Sequence, residues 1–268
     1  MRGYKTFFGI TGSPFKPHLP PGALLRHSQF EELAAYLDYI ADEGSIGLVT
    51  GEIGVGKSTA IGSFLPTLDD TRYHVCSIRN ADSTRSIFRQ KAWSFGMRAA
   101  HLLGDVRDEV HRRIGVLWNE HTKRTVLVVD EAQCLSAKAL QELRLLTNFP
   151  GDTEPPLSLV LVGQPDLRAQ IKLIPNEALN QRIMIRYHLA GLSLAETRAY
   201  VAAHLTAAGA KADVFSPEAI ALIFQSTQGL PRQINKVAIQ SLIKAGHQEV
   251  NPIDASFVAA VLQKMDQE

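Results

Sequence analysis

A glycine-rich segment between an apolar run and a helical pattern constrains this chain more than any other feature. The segment Gly51-Glu52-Ile53-Gly54-Val55-Gly56-Lys57-Ser58-Thr59 follows SIGLVT (45–50) and opens a helical pattern at 57–68. Glycines let backbone amides approach an anion without a Cβ in the way, and the helix that follows points unpaired N–H groups at it. Lys57 supplies a point charge for the outer phosphates, and the Ser58 hydroxyl is a ligand for Mg²⁺. The spacing predicts a phosphate-binding loop for ATP and Mg²⁺.

The rest of the chain alternates between strand and helix patterns up to residue 189. SIGLVT and three further apolar runs suit strands buried on both faces of a parallel sheet; these are YHVCSI (73–78), TVLVVD (125–130) and LSLVLVG (157–163). MIRYHL (184–189) alternates and predicts an edge strand. Helical patterns lie between the strands, at 28–42, 57–68, 84–103, 105–121 and 136–148. This alternation predicts an α/β fold whose parallel sheet is flanked by helices.

After residue 189 only helix signals remain. Ser193 and Glu196 form a capping box, and Ser216-Pro217-Glu218 is a second start signal. Further helices are expected after Pro231 and after Asn251-Pro252. We therefore predict an α/β nucleotide-binding core at 1–189, including the N-terminal segment, and a small all-helical lid at 190–268.

Composition excludes some classes of protein. The 268 residues are 45% apolar and 21% charged, as in an ordinary soluble globular protein, and a net charge of +1 gives no global basic field. No run of 18 apolar residues predicts a membrane span, and the N-terminus lacks the apolar stretch of a signal peptide. The cytoplasm is the expected compartment. Cys76 and Cys134 stand in apolar contexts, which favours reduced core cysteines over a disulfide.

An acidic pair follows the third apolar run. Asp130 and Glu131 end TVLVVDE, and in a phosphate-loop fold the strand beside the loop carries such an acid, which steadies Mg²⁺. Glu131 could then polarise the attacking water as a general base. The alternative is a helix start, where carboxylates satisfy N-terminal amides. Downstream of a phosphate loop, we favour the metal and water site.

Further polar residues could reach a nucleotide from later in the chain. Gln164 ends the strand LVLVG, where it could sense the γ-phosphate or merely form a turn. Of Arg182 and Arg186, we favour Arg182 as an arginine that reaches a neighbouring subunit's nucleotide, although both could be surface residues. Arg232 stands near a helix N-terminus, which is unfavourable for the dipole. Its partner could be the γ-phosphate or a carboxylate of the core.

Together these segments resemble the AAA+ ATPases, and among them the ExeA/GspA-like group with its TnsC-like transposition regulators. The resemblance is carried by FFGITGSPF (7–15), GEIGVGKST (51–59), VLVVDEAQ (126–133), VLVGQPDL (160–167), LNQRIMIRYHL (179–189) and GLPRQIN (229–235). The first and last of these segments are more specific than the phosphate loop, which many NTPases share.

The resemblance implies a role for each matching residue. Lys57 and Ser58 correspond to Walker A, and Asp130 and Glu131 to Walker B. Gln164 corresponds to sensor 1, Arg182 to the arginine finger and Arg232 to sensor 2. The segment around Phe8 and Pro14 would wrap near the adenine. Such proteins hydrolyse ATP and assemble into rings or helical filaments.

Two family roles compete. TnsC-like proteins bind double-stranded target DNA without reading its sequence. Together with a target-selection adaptor they recruit or activate a transposase, and ATP hydrolysis disassembles the oligomer. MuB-like and IstB-like helpers serve the same task. ExeA/GspA-type ATPases instead assist a secretion apparatus through protein partners, and carry a membrane span and a peptidoglycan-binding domain. Neither follows residue 268 here, so we expect the transposition role, with slow ATP turnover stimulated by DNA or a partner.

A basic segment is the candidate DNA surface. RNADSTRSIFRQKAWSFGMR (79–98) has five basic residues and one acid. The candidates for phosphate contacts are Arg79, Arg85, Arg89 and Lys91. A solvated helix face balanced by acids elsewhere is the alternative.

Overall fold

The computed structural model forms two compact units. It describes residues 3–15, 27–78, 103–149, 154–210, 214–265 and 267. One unit, the sheet unit, contains residues 29–53 and 57–189. The other, the helical unit, contains residues 1–28, 54–56 and 190–268.

The sheet unit is built on a five-stranded parallel sheet. Its strands, in chain order, are β1 (Ile46–Gly51), β2 (Tyr73–Ile78), β3 (Arg124–Val129), β4 (Leu157–Gly163) and β5 (Ile183–Leu189). Every residue of β1, β3 and β4 is buried, as expected for central strands covered on both faces. The predicted α/β fold with a parallel sheet is confirmed.

The strand order differs from the sequence expectation at the site. The sheet runs β2-β3-β4-β1-β5, so the expectation that the acidic strand lies beside the phosphate-loop strand is wrong. β4 lies between them, pairing with β3 through Val129 and Leu161 and with β1 through Thr50 and Gly163. The ends of three strands therefore meet at one edge of the sheet.

The helices of the sheet unit begin and end close to their predicted bounds. They are, in order, Ser28–Glu43, Lys57–Phe64, Leu103–His121, Ala137–Leu146, Asp166–Ile171 and Glu177–Asn180, with 3-10 turns at Leu65–Thr67, Ala132–Cys134 and Ile174–Asn176. The pieces between 166 and 180 gave no helical signal in the sequence, because each is too short to show a periodic apolar face. The predicted helix at 84–103 lies almost entirely outside the described residues.

The helical unit holds the N-terminal segment as well as the C-terminal helices. Those helices are Leu194–Ala207, Pro217–Thr227, Pro231–Gln248 and Ala255–Met265, and a short helix spans Tyr4–Phe8. The Ser193 capping box is present. Phe8, Ile10 and Phe15 are buried in the same apolar cluster as Val201 and Ile234. The prediction that the N-terminal segment belongs to the α/β core therefore differs from the observed grouping, because its apolar side chains are buried among those of the C-terminal helices.

Both cysteines are free, and only one is in the core. Cys76 is buried on β2, whereas Cys134 is exposed in the 3-10 turn after β3. The expectation of a core position is wrong for Cys134. Its apolar neighbour Leu135 is 2% exposed and takes the buried position instead. Within the described ranges, no helix combines the length and apolar composition needed to cross a lipid bilayer.

A buried arginine secures the end of the first long helix against the sheet. The Arg124 guanidinium donates to the carbonyls of Ala41 and Asp42, at the C-terminal end of helix Ser28–Glu43, and to Pro155 O at 2.8 Å. It also lies 4.8 Å from the centre of the Trp118 ring. Carbonyls at a helix end lack intrahelical partners and carry partial negative charge, so a buried cation there satisfies both needs.

We predict that Arg124→Met lowers the free energy of unfolding by about 3 kcal/mol, because buried carbonyls lose their donors. Arg72→Met is the matched control, since its ion pair with Asp42 has both side chains largely exposed and contributes less than about 1 kcal/mol. Urea unfolding of the full chain measures both. Equal effects of the two substitutions would contradict the assignment.

A buried histidine lies in the helical unit. His204 is 3% exposed, and neither ring nitrogen has a hydrogen-bond partner among the described residues. Its ring stacks on Phe15, with centroids 5.2 Å apart, and lies 4.3 Å from the Tyr200 ring. Burial lowers the pKa of His204 to about 4.

We predict that His204 makes the fold sensitive to acid. Between pH 6.5 and about 4, the unfolded chain binds a proton that the folded chain does not. Stability therefore falls as the pH falls, by at most about 1.4 kcal/mol per pH unit. His204→Phe should flatten this loss in unfolding measured across that range, while Tyr200→Phe should keep it. An unchanged acid limb in His204→Phe would refute the prediction.

Candidate functional site

The glycine-rich loop leaves β1 at Gly51 and is held by its own lysine. Lys57 is 7% exposed, and its Nζ donates to Gly51 O at 2.8 Å and to Glu52 O at 3.0 Å. These carbonyls are neutral, so they orient the ammonium without cancelling its charge. Of the other predicted loop residues, Val55 is buried, Gly54, Gly56 and Thr59 are half-buried, and Glu52, Ile53 and Ser58 are exposed.

The tip of this loop needs glycine for two separate reasons. Gly54 and Gly56 have φ values of 83° and 108°, in the left-handed region that side chains rarely adopt. Within the helical unit, which includes 54–56, Arg232 N donates to Gly54 O at 3.2 Å. A Cβ on Gly54 would lie 2.5 Å from the Cβ of Arg232. The start of helix Pro231–Gln248 therefore packs directly on the loop tip.

Asp130 of the acidic pair contacts the start of helix Lys57–Phe64, which follows the loop and is called the loop helix. Asp130 follows the last residue of β3, and its Oδ2 accepts from Ser58 Oγ at 2.7 Å. Its Oδ1 accepts from Glu131 N at 2.9 Å. A hydroxyl and a carboxylate oxygen at this distance fit Mg²⁺, which takes one or two protein oxygens and completes its shell with phosphate and water. Among the described residues there is no cluster of three His, Cys, Asp or Glu side chains that could hold a metal ion.

Glu131 adopts an unusual backbone conformation. Its φ is 55° and its ψ is 37°, a left-handed geometry at a non-glycine residue. Such geometry costs of order 1–3 kcal/mol, is sustained by the surrounding structure and is frequent at functional sites. The half-buried carboxylate accepts from Gln133 Nε2.

Gln133 is the residue that the sequence interpretation missed. Its Oε1 accepts from Gln164 N at 3.1 Å, so its amide joins the end of β4 to Glu131. The signal in the sequence was a polar residue two positions after the acidic pair. The neighbouring sequence does not reveal what the Gln133 side chain contacts, because its partner Gln164 is 31 residues away.

The three predicted arginine positions have different surroundings. Arg182 is exposed, and its Nη1 donates to Asn148 Oδ1 and Thr147 Oγ1. Arg186 Nη2 instead donates to the carbonyl oxygen and to the side-chain oxygen of Asn180. Arg232 is exposed, and in the described part of the chain its guanidinium forms no ion pair with an acidic side chain.

The remaining predicted residues fall at the N-terminus and in the basic segment. Phe8 and Pro14 are buried, with Phe8 in the apolar cluster of the helical unit. Arg79, Arg85, Arg89 and Lys91 lie outside the described residues.

Sequence comparison finds one matching protein family and a relative. Residues 40–171 match a protein family described as AAA domain. The chain is 34% identical over 249 residues to the general secretion pathway protein A of Aeromonas hydrophila. That match covers 90% of this chain and 45% of the relative, so the chain spans less than half of that protein's length.

Solved structures share the fold at low identity. The ORC2 protein of Aeropyrum pernix, solved as ADPNP–ADP complexes, is 16% identical, with a TM-score of 0.67 over 93% of this chain and 70% of that one. Drosophila ORC bound to DNA is 18% identical, with a TM-score of 0.70 over 98% of this chain and 65% of that one. These likenesses establish the AAA+ fold.

We predict that Gly54→Ala destabilises the protein by about 1–3 kcal/mol, because the new Cβ needs a strained φ and meets Arg232. Gly62→Ala, in helix Lys57–Phe64, is the matched control: nothing lies within 4 Å of its added Cβ. That change should stabilise by about 0.5–1 kcal/mol. Thermal unfolding measures both, and a neutral Gly54→Ala would contradict the packing described here.

Proposed function

We propose that this AAA-domain chain is a magnesium-dependent ATPase. The observation that carries the proposal is the 2.7 Å hydrogen bond between Ser58 of the loop helix and Asp130 at the end of β3. It brings together the two oxygen ligands that a nucleotide-bound Mg²⁺ would need. Lys57, Ser58 and the loop amides would hold the phosphates, and Asp130 with Ser58 would hold the metal, which when bound neutralises charge on the phosphates.

Hydrolysis rests on Glu131 in this proposal. Its carboxylate would accept a proton from the attacking water, and Gln164 at the end of β4 would contact the γ-phosphate. Arg232, which begins a helix on the loop tip, would supply a second cation from the same chain. Arg182 would act on the nucleotide of a neighbouring subunit in a ring or filament, and the segment with Phe8 and Pro14 would lie near the adenine.

At the level of the whole protein, we propose a role in assisting a secretion apparatus through protein partners. What favours this role is the 34% identity to general secretion pathway protein A, which extends over 90% of the chain. ATP binding would drive self-assembly, and assembly would expose the surface that partners recognise.

A DNA-binding regulator of transposition is the second candidate. Its support is the basic segment at 79–98, with Arg79, Arg85, Arg89 and Lys91 as phosphate contacts. In that role the chain would coat double-stranded DNA and recruit a transposase with its adaptor.

Three variants test the chemistry. Lys57→Ala should abolish ATP binding, whereas Glu131→Gln should bind ATP normally and lower phosphate release at least about 100-fold. Glu43→Gln, which removes an exposed carboxylate outside the loop, should match the unaltered protein in both assays. Normal turnover by Glu131→Gln would overturn the assignment of the general base.

A separate experiment decides between the two roles. The Glu131→Gln variant, which should retain ATP, is studied by negative-stain imaging and DNA-shift assays with and without double-stranded DNA. The same measurements are made after Arg85→Ala and Arg89→Ala are added to that variant. For the secretion role, we expect ATP-dependent assemblies that form equally well without DNA and that do not retard DNA in the shift assay. ATP-dependent filaments on DNA, lost in the double variant, would establish the transposition role instead.

A further inference from the structure

One side-chain amide connects the two strand ends that the proposed chemistry uses. The Gln133 amide donates from Nε2 to Glu131 Oε2 and accepts at Oε1 from Gln164 N, 3.1 Å away. Its orientation is fixed by chemistry, because a backbone N–H can only donate and must therefore face the amide oxygen. The NH₂ group is thereby directed at the carboxylate.

The backbone on both sides is shaped around this contact. β3 and β4 are neighbours in register, so Glu131 and Gln164 leave the same edge of the sheet. The left-handed backbone of Glu131 leads directly into the 3-10 turn Ala132–Cys134, which carries Gln133. On the other side, Gly163 leaves room for the amide: an added Cβ would lie 2.6 Å from Gln133 Oε1.

We propose that Gln133 is a positioning residue that links the end of β4 to the general base. The inference rests on the proposed ATPase function. A glutamine is required because one end must accept and the other must donate; Glu keeps only the acceptor, and Ala has neither. When Gln164 moves against a γ-phosphate, the rigid amide carries that displacement to the Glu131 carboxylate.

The decisive variant is Gln133→Glu. It retains an acceptor for the Gln164 N–H but places a second carboxylate beside Glu131. We expect kcat to fall roughly 10- to 100-fold through misplacement of the base, with ATP affinity within about threefold of the unaltered protein.

Two further variants separate positioning from structure. Gln141→Glu adds the same charge to the same unit and removes a 2.8 Å bond to Pro175 O, so it should leave kcat unchanged. Gln133→Ala removes the link without adding charge. It should lower kcat with little effect on ATP affinity and on the thermal midpoint.

The outcomes distinguish the two levels of proposal. If Glu131→Gln loses turnover while Gln133→Glu and Gln133→Ala match the unaltered protein in kcat, the role of Gln133 is refuted alone. If Glu131→Gln turns over normally, the assignment of the base fails and takes the linked role of Gln133 with it.

Discussion

Parallel pairing of β3, β4 and β1 brings three strand ends to one edge of the sheet, and the whole candidate site depends on that alignment. The loop leaves β1, the acidic pair leaves β3, and Gly163 and Gln164 end β4 between them. Ser58 and Asp130 are 72 positions apart in sequence and reach hydrogen-bond distance only because both elements converge at this edge. The buried central strands fix this register, since a slip would break the close packing of their apolar side chains on both faces.

Glycine makes room for a neighbouring side chain at two positions. Gly163 has no side chain where the Gln133 amide crosses, and Gly54 has none where Arg232 packs. In both places the glycine makes room for a neighbouring side chain, and at Gly54 it also permits a left-handed backbone. The left-handed geometry of Glu131 is of a different kind, since a side chain is present and the surrounding contacts must sustain the strain.

The candidate residues are distributed over the two units. The sheet unit contains Lys57, Ser58, Asp130 and Glu131, while the helical unit contains the loop tip, Arg232 and the N-terminal segment. The identity to general secretion pathway protein A covers nearly the whole chain, so it concerns both units together.

Local patterns in the sequence determined the strands, the helices and the type of fold. Continuous apolar runs predicted the buried strands, and caps such as Ser193 with Glu196 predicted helix starts, because these signals lie within a few residues of each other. The same locality made the candidate site residues Gly51–Thr59, Asp130 and Glu131 recognisable. Only the tertiary structure decided that β4 separates β3 from β1, that the N-terminal segment packs with the C-terminal helices, and that Gln133 joins Glu131 to Gln164. Each of these depends on contacts between distant residues, and no local spacing encodes which strand lies beside which.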